Sequence, residues 1–400
     1  MEQNTYNNCP VCSFPLSLES AVCPRCGNDI LEDISSLDQQ SQELHRKNMD
    51  EKKAEWYTWC ITENLNIADN ETPPQPDAVE KKSESRHLFS SPDEQELLRT
   101  ASKAVLVKDH SLRKKWWQAL SADWKEVIKN TIKIVREPND QELLDFFQTT
   151  HFRCDNRRIH DLWPIRILEN LVQLRCDESP IESLDPLTHL STLQRIYAFD
   201  CDFSSLEPLR KLKHLKLLWI SSTQVSDLDP LRELTSLEEL YCSETLVKDL
   251  DALAALVNLE KLSCYKTEIT SIEPLANLSN LIELGINNSN VTDISPLSKL
   301  TGIEYLRCNK TEIMNLEPLV NLSGLRELSI SRTRVISLEP LAELLELEEL
   351  DFSNTGVQSI LPLMELEKLE KIEFSAGTIP EKELERFIEL HPNCEILLTQ

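Results

Sequence analysis

Glycine is nearly absent: there are six among 400 residues, and none lies between Gly27 and Gly285. That gap excludes a phosphate-cradling loop or a dinucleotide fingerprint across most of the chain, because both need backbone free of Cβ atoms where phosphate approaches. The eight histidines are scattered without H-E-x-x-H spacing, and no G-x-S-x-G elbow occurs. A non-enzymatic protein without a small-molecule substrate is expected. No apolar run approaches the ~18 residues of a membrane span, and the start Met1-Glu2-Gln3-Asn4-Thr5 is polar. The expectation is cytoplasmic residence without a membrane partner. Positive charge is scarce as well, since 42 Lys and Arg stand against 68 Asp and Glu, for a net charge of −26. Such a chain is unsuited, as a whole, to non-specific binding of nucleic acid or anionic lipid.

What the chain has in abundance is a period. Pro164, Pro186, Pro208, Pro230, Pro274, Pro296, Pro318, Pro340 and Pro362 share one 22-residue phase, with Ala252 in the single gap. Self-similarity this strict specifies stacked repeats, each burying its apolar face against the next. The unit reads Leu259-x-x-Leu262-x-Cys264-x-x-Thr267-x-Ile269-x-x-Ile272-x-Pro274-Leu275-x-x-Leu278. Leu262 and Cys264 are two apart, so on a short strand both point inward and their neighbours point outward. The Thr267 phase holds Ser179, Cys201, Thr223, Thr245, Ser289, Thr311, Thr333 and Thr355, and a ladder of hydroxyls is expected where the chain leaves each strand. Three residues before the proline phase stand Asp161, Ser183, Ser205, Asp227, Asp249, Ser271, Asp293, Asn315, Ser337 and Ser359. All are capping types, and proline is pre-organised for the first position of the helical turn that should follow.

This unit resembles the 22-residue leucine-rich repeat of the phosphatase-regulatory and internalin-type families, over about Thr149 to Phe374, although Thr or Ser stands at the turn where those families carry asparagine. The resemblance implies an α/β solenoid, a leucine-rich repeat horseshoe with a parallel β-sheet on its concave face, of a bacterial kind. Residues 149–377 would be the repeats. Residues 378–400 would form a C-terminal cap, with a helix to about Leu390 and a closing strand after His391-Pro392-Asn393. Residues 92–148 would form an N-terminal helical cap over the open first repeat, with Trp116, Trp117, Leu120, Trp124, Val127, Ile128, Ile132 and Val135 at helical spacing and caps at Ser121 and at Asn139 or Asp140.

Of the twelve cysteines, Cys201 lies on the hydroxyl phase, Cys60 and Cys394 are isolated, and the other nine fall into two kinds. Cys154, Cys176, Cys242, Cys264 and Cys308 fall on the inward strand phase and read as small core residues. Cys9-Pro10-Val11-Cys12 and Cys23-Pro24-Arg25-Cys26-Gly27 are two C-x-x-C knuckles ten residues apart. Their four thiolates suit one tetrahedral structural Zn2+, with Cys9, Cys12, Cys23 and Cys26 as ligands. Residues 1–30 are therefore expected to be a separate small zinc ribbon, 31–68 a helix bearing Trp56, Tyr57 and Trp59, and 69–91 a flexible linker.

The residues expected to carry function lie on the outward strand positions. Tyr197, Trp219 and Tyr241 share one outward phase in consecutive repeats, Phe199 and Tyr265 the next, and Tyr305 the preceding one. Arg195, Lys266 and Arg307 stand among them, with Arg175, Lys261 and Lys310 nearby. Aromatics with arginine are the composition of interface hot spots, so a scaffold or adaptor binding a protein partner on the concave face is the leading expectation. Two alternatives remain open: nucleic-acid association through the ribbon and the basic helices at 99–136, and regulation of a phosphatase by analogy of fold.

Overall fold

The computed structural model of the protein describes residues 98–399. Residues 98–100 are helical, and four helices follow: α1 (Lys103–Lys108), α2 (His110–Ala119), α3 (Ala122–Thr131) and α4 (Asp140–Phe146). There follow the strands β1 (His151–Arg153), β2 (Gln173–Arg175), β3 (Arg195–Tyr197), β4 (Leu217–Trp219), β5 (Glu239–Tyr241), β6 (Lys261–Ser263), β7 (Glu283–Gly285), β8 (Tyr305–Arg307), β9 (Glu327–Ser329), β10 (Glu349–Asp351) and β11 (Lys371–Ser375). Helix α5 (Glu381–Leu390) and strand β12 (Glu395–Thr399) close the described residues. All strands join one parallel sheet in chain order, β1 to β12. The register steps by one repeat, so that Leu240 lies beside Leu262 and Leu262 beside Leu284.

The inward positions form an apolar column along the sheet. In the repeat that carries β6, Leu259, Leu262, Cys264, Ile269, Ile272, Leu275 and Leu278 are each at most 1% exposed. Emptying any such leucine position to alanine would cost ~2–5 kcal/mol, because neighbouring repeats cannot collapse into the gap without disturbing the stack. The five inward cysteines are buried and free, as core residues should be. Burial pushes the thiols of Cys242 and Cys308 up to about 12, which removes thiolate chemistry from the core.

Opposite the sheet, each proline opens a short 3-10 turn, as in Asp229–Leu231 and Glu317–Leu319. The capping phase acts at every repeat: Asp161, Ser183, Ser205, Asp227, Asp249, Ser271, Asp293, Asn315, Ser337 and Ser359 each accept a hydrogen bond from the backbone N–H two residues on. The hydroxyl phase bonds backbone groups where the chain leaves each strand, as expected, but mostly within a repeat rather than from one repeat to the next. Thr223, Thr245, Thr267, Ser289, Thr311, Thr333 and Thr355 each donate to the carbonyl three residues earlier, at 2.6–2.7 Å, tying off the end of their own strand. Only near the N-terminal end do Ser179 and Cys201 reach back to the preceding repeat, at the carbonyls of Cys154 and Cys176.

One recurrent feature gave no compositional signal. Asn156, Glu178, Asp200, Ser222, Glu244, Lys266, Asn288, Lys310, Arg332 and Asn354 all hold positive φ, between 50° and 56°, without a glycine among them. Left-handed backbone costs a non-glycine residue ~1–2 kcal/mol. Each conformation is held by a contact that offsets this cost: the N–H of Glu244, for example, donates to the Tyr265 carbonyl and that of Lys266 to Asn287, in the next repeat.

The helices α2, α3 and α4 bring a set of aromatic rings to the first strand. Trp124 stacks on Phe152 at 5.8 Å, and Phe146 meets the same ring edge-on at 5.8 Å. Trp116 packs on Phe147 and Trp163. Ser121 caps α3 and Asn139 caps α4 in a capping box with Glu142. Val135 departs from the expected apolar face: α3 ends at Thr131, Lys133 takes positive φ, and Val135 is fully exposed.

Candidate functional site

Strands β3, β4 and β5 set Tyr197, Trp219 and Tyr241 directly beside one another in register. Parallel neighbours ~4.8 Å apart place successive side chains of one phase within ring contact. The Trp219 and Tyr241 rings stack at 4.8 Å and 30°, while Tyr197 and Phe199 lie 6.4 and 5.9 Å from Trp219. The Arg175 guanidinium lies over the Tyr197 ring at 5.0 Å, which extends the stripe to a fourth strand by a cation–π contact. Beside it Arg195 is half-buried on β3. At the other end the Tyr241 hydroxyl donates to Glu239 Oε2 at 2.7 Å, and burial followed by the Glu239 charge raises its pKa, so it remains a phenol. The result is a half-buried aromatic surface with its side chains fixed by one another.

Phe199 is positioned by a carboxylate. Asp177 Oδ1 accepts the Phe199 backbone N–H at 3.1 Å, and Asp177 Oδ2 accepts from Arg175 Nη2 at 3.0 Å. Burial, reinforced by the neighbouring Asp155, pushes the Asp177 carboxyl up to about 7 against the opposing pull of Arg175.

Four of the expected contact residues do not join the stripe. Tyr265 is 7% exposed and packs into the surface rather than projecting from it. Arg307 is 5% exposed: its Nη1 donates to Glu283 Oε1 at 2.8 Å, and its Nε and Nη2 donate to Glu327 at 2.8 and 2.9 Å. It is an internal clamp across β7, β8 and β9, and the two carboxylates outweigh burial to hold its pKa above the ordinary arginine value. Outward phase alone could not distinguish such a clamp from a free arginine; glutamates on the preceding outward phase of both adjoining repeats were the readable signal. Lys266 sits in a left-handed turn rather than on the strand and pairs with Glu244 at 3.4 Å. Tyr305 is half-buried on β8 between Glu283 and Glu327 in register, apart from the stripe.

The basic helical segment is partly neutralised from within. Arg113 is 3% exposed and pairs with Asp140, whose carboxyl it holds down to about 2. Lys129 pairs with Glu137, and Arg136 with Glu142. Among the described residues, no group of three or more His, Cys, Asp or Glu could hold a metal ion. Cys9, Cys12, Cys23 and Cys26 lie outside the described residues, as do the helix expected at 31–68, the linker expected at 69–91 and the first residues of the expected cap, 92–97. No described helix is long and apolar enough to cross a membrane.

The repeating strand, capped turn and leucine column define a leucine-rich repeat solenoid. Residues 235–277 and 257–299 match the family described as leucine-rich repeats in two copies. No curated protein matches the chain. Among solved structures, an internalin from Listeria monocytogenes str. 4b F2365 is similar at 24% identity and TM-score 0.63, over 70% of this chain and 89% of that one. The functional domain of InlJ from Listeria monocytogenes is similar at 18% identity and TM-score 0.57, covering 69% of this chain and 68% of that. The repeat ectodomain of a plant membrane receptor kinase from Arabidopsis thaliana, solved in complex with Casparian strip integrity factor 2, gives 19% identity and TM-score 0.50, over 59% and 31%. The protein is thus a leucine-rich repeat protein with internalin-like fold neighbours, and these likenesses speak to its fold.

Proposed function

We propose that the protein is a cytoplasmic, non-enzymatic scaffold that holds a protein partner on the concave face of its sheet, with Tyr197, Phe199, Trp219 and Tyr241 as the contact centre and Arg195 at its edge. The observation that carries this reading is the stacked row from Arg175 through Tyr197 and Trp219 to Tyr241. Rings already ordered by one another lose little rotamer freedom on binding, and they offer large amphipathic area. The Arabidopsis neighbour, whose structure is of a complex with a named factor, gives a precedent for binding by such a solenoid. We assign helices α1–α4 the part of an N-terminal cap, since Trp124 and Phe146 cover Phe152. We assign Cys9, Cys12, Cys23 and Cys26 to one structural Zn2+.

Nucleic-acid binding through 99–136 is the weaker reading, because Arg113, Lys129 and Arg136 spend their charge on Asp140, Glu137 and Glu142. The test compares proteins co-purified from the native cell, after nuclease treatment, by the parent, Trp219→Ala and Tyr241→Ala. Each variant should weaken a nuclease-resistant partner by ~2 kcal/mol or more. The aromatic-pair part of the stability loss should be ~0.5–1.5 kcal/mol for each ring contact removed, one for Tyr241→Ala and three for Trp219→Ala. Full retention of every partner by both variants, or melting far below the parent, would overturn the reading.

A further inference from the structure

We propose that β12 is the seam of a twofold dimer in which two copies of this chain join their sheets edge to edge, independently of partner binding on the concave face. β12 is the last strand of the sheet, and among the described residues it pairs only with β11. The Glu395 N–H donates to the Glu370 carbonyl at 2.7 Å, and the Thr399 carbonyl accepts from Ala376 at 2.9 Å. Alternation along a strand then turns Leu397 to the β11 side and leaves the N–H and C=O of Ile396 and Leu398 facing the open edge. An edge with unpaired backbone groups is a template for another strand.

The side chains point the same way. Leu398 lies in register with Phe374, which is 2% exposed, yet Leu398 itself is 55% exposed: it holds an inward position that no described residue covers. On the neighbouring helix α5, Ile388 and Leu390 are 48% and 51% exposed.

A second copy of β12 fits this edge in one register. Antiparallel pairing about a twofold axis at Leu397 sets Ile396 opposite Leu398 of the other copy, and Glu395 opposite Thr399. The two residues with free backbone groups, Ile396 and Leu398, fall on the hydrogen-bonded pairs, so both crossings exchange two N–H···O bonds. Directly opposed side chains share a face, so the inward Ile396 and Leu398 of both copies meet on the core side and continue one apolar layer. No like charges are opposed at the seam. The strand is therefore self-complementary in hydrogen bonds and apolar surface and opposes no like charges, which suits an isologous twofold contact.

The test is the mass of the full chain in solution, by light scattering after gel filtration and by sedimentation equilibrium. The parent should run at twice the mass of one chain. Leu398→Lys keeps every backbone group but places charge at the seam, and Leu398→Pro removes an edge N–H that β11 does not use. Both should run at the mass of one chain with the parent's circular dichroism and melting. If Leu398→Pro fails to fold, Leu398→Lys decides alone. A parent that stays monomeric at its highest soluble concentration, or a dimer that Leu398→Lys leaves intact, would overturn the proposal.

Discussion

Truncating Arg307 should destabilise the solenoid without weakening partner binding, contrary to what its outward phase suggests. The guanidinium is 5% exposed and makes three charged hydrogen bonds, one to Glu283 and two to Glu327, at 2.8–2.9 Å. Arg307→Ala would leave two carboxylates on β7 and β9 flanking an emptied space, each retaining 22% side-chain exposure. Removing one partner of a buried ion pair costs ~3–5 kcal/mol, and the residual exposure of both glutamates puts this case at about 3. Equilibrium urea unfolding followed by far-ultraviolet circular dichroism reads the difference from the midpoint at unchanged slope. The triple variant Arg307→Leu, Glu283→Leu, Glu327→Leu supplies the control, since replacing the whole buried group with apolar side chains is often neutral or stabilising. An Arg307→Ala midpoint within ~0.5 kcal/mol of the parent, as for an ordinary surface residue, would refute the clamp.

Asp177→Asn should make the protein more resistant to unfolding at alkaline pH and change little near pH 4. Burial and Asp155 raise the Asp177 carboxyl to about 7 in the folded chain, above the ~3.9 of an unfolded aspartate. The folded state therefore binds more protons between these values, and the stability tied to Asp177 declines as pH rises through that window. Thermal melts of parent and variant at pH 4 and pH 8 check this; equal pH dependence in both would contradict it. The full chain should also carry about one zinc, by elemental analysis, and Cys9→Ser should lose it while the repeats melt unchanged. Iron in place of zinc, or no metal, would remove the assignment of the four N-terminal thiolates.

Much of the scaffold was legible because the repeat reports each position many times. The proline phase, the capping residue three places before it and the inward pair typified by Leu262 and Cys264 all follow from spacing, and the structure places them accordingly. The left-handed turn was illegible for a physical reason. Its conformation is held by the backbone bond to the next repeat, as from Glu244 to Tyr265, so the side chain there is free to be Glu, Lys, Arg, Ser or Asn. The candidate site was half legible. Period two gave the faces of Tyr197, Trp219 and Tyr241, and their stacking follows from register. Depth did not follow: Tyr265 and Arg307 share those outward faces, but neighbouring side chains and glutamates two repeats apart draw them in. Only cross-strand partners, not phase, settle whether an outward residue reaches solvent.

The most direct test of the concave-face account is site-specific photocrosslinking in the native cell. Phe199 borders the Trp219 ring at 5.9 Å on the sheet face, whereas Arg232 sits on the side of the 3-10 turns and pairs with Asp229. A benzophenone amino acid placed at position 199 should give a discrete, nuclease-resistant protein adduct, and the same group at position 232 should give none. Adducts that form from 232 and not from 199, or that vanish with nuclease, would contradict binding of a protein on the aromatic face.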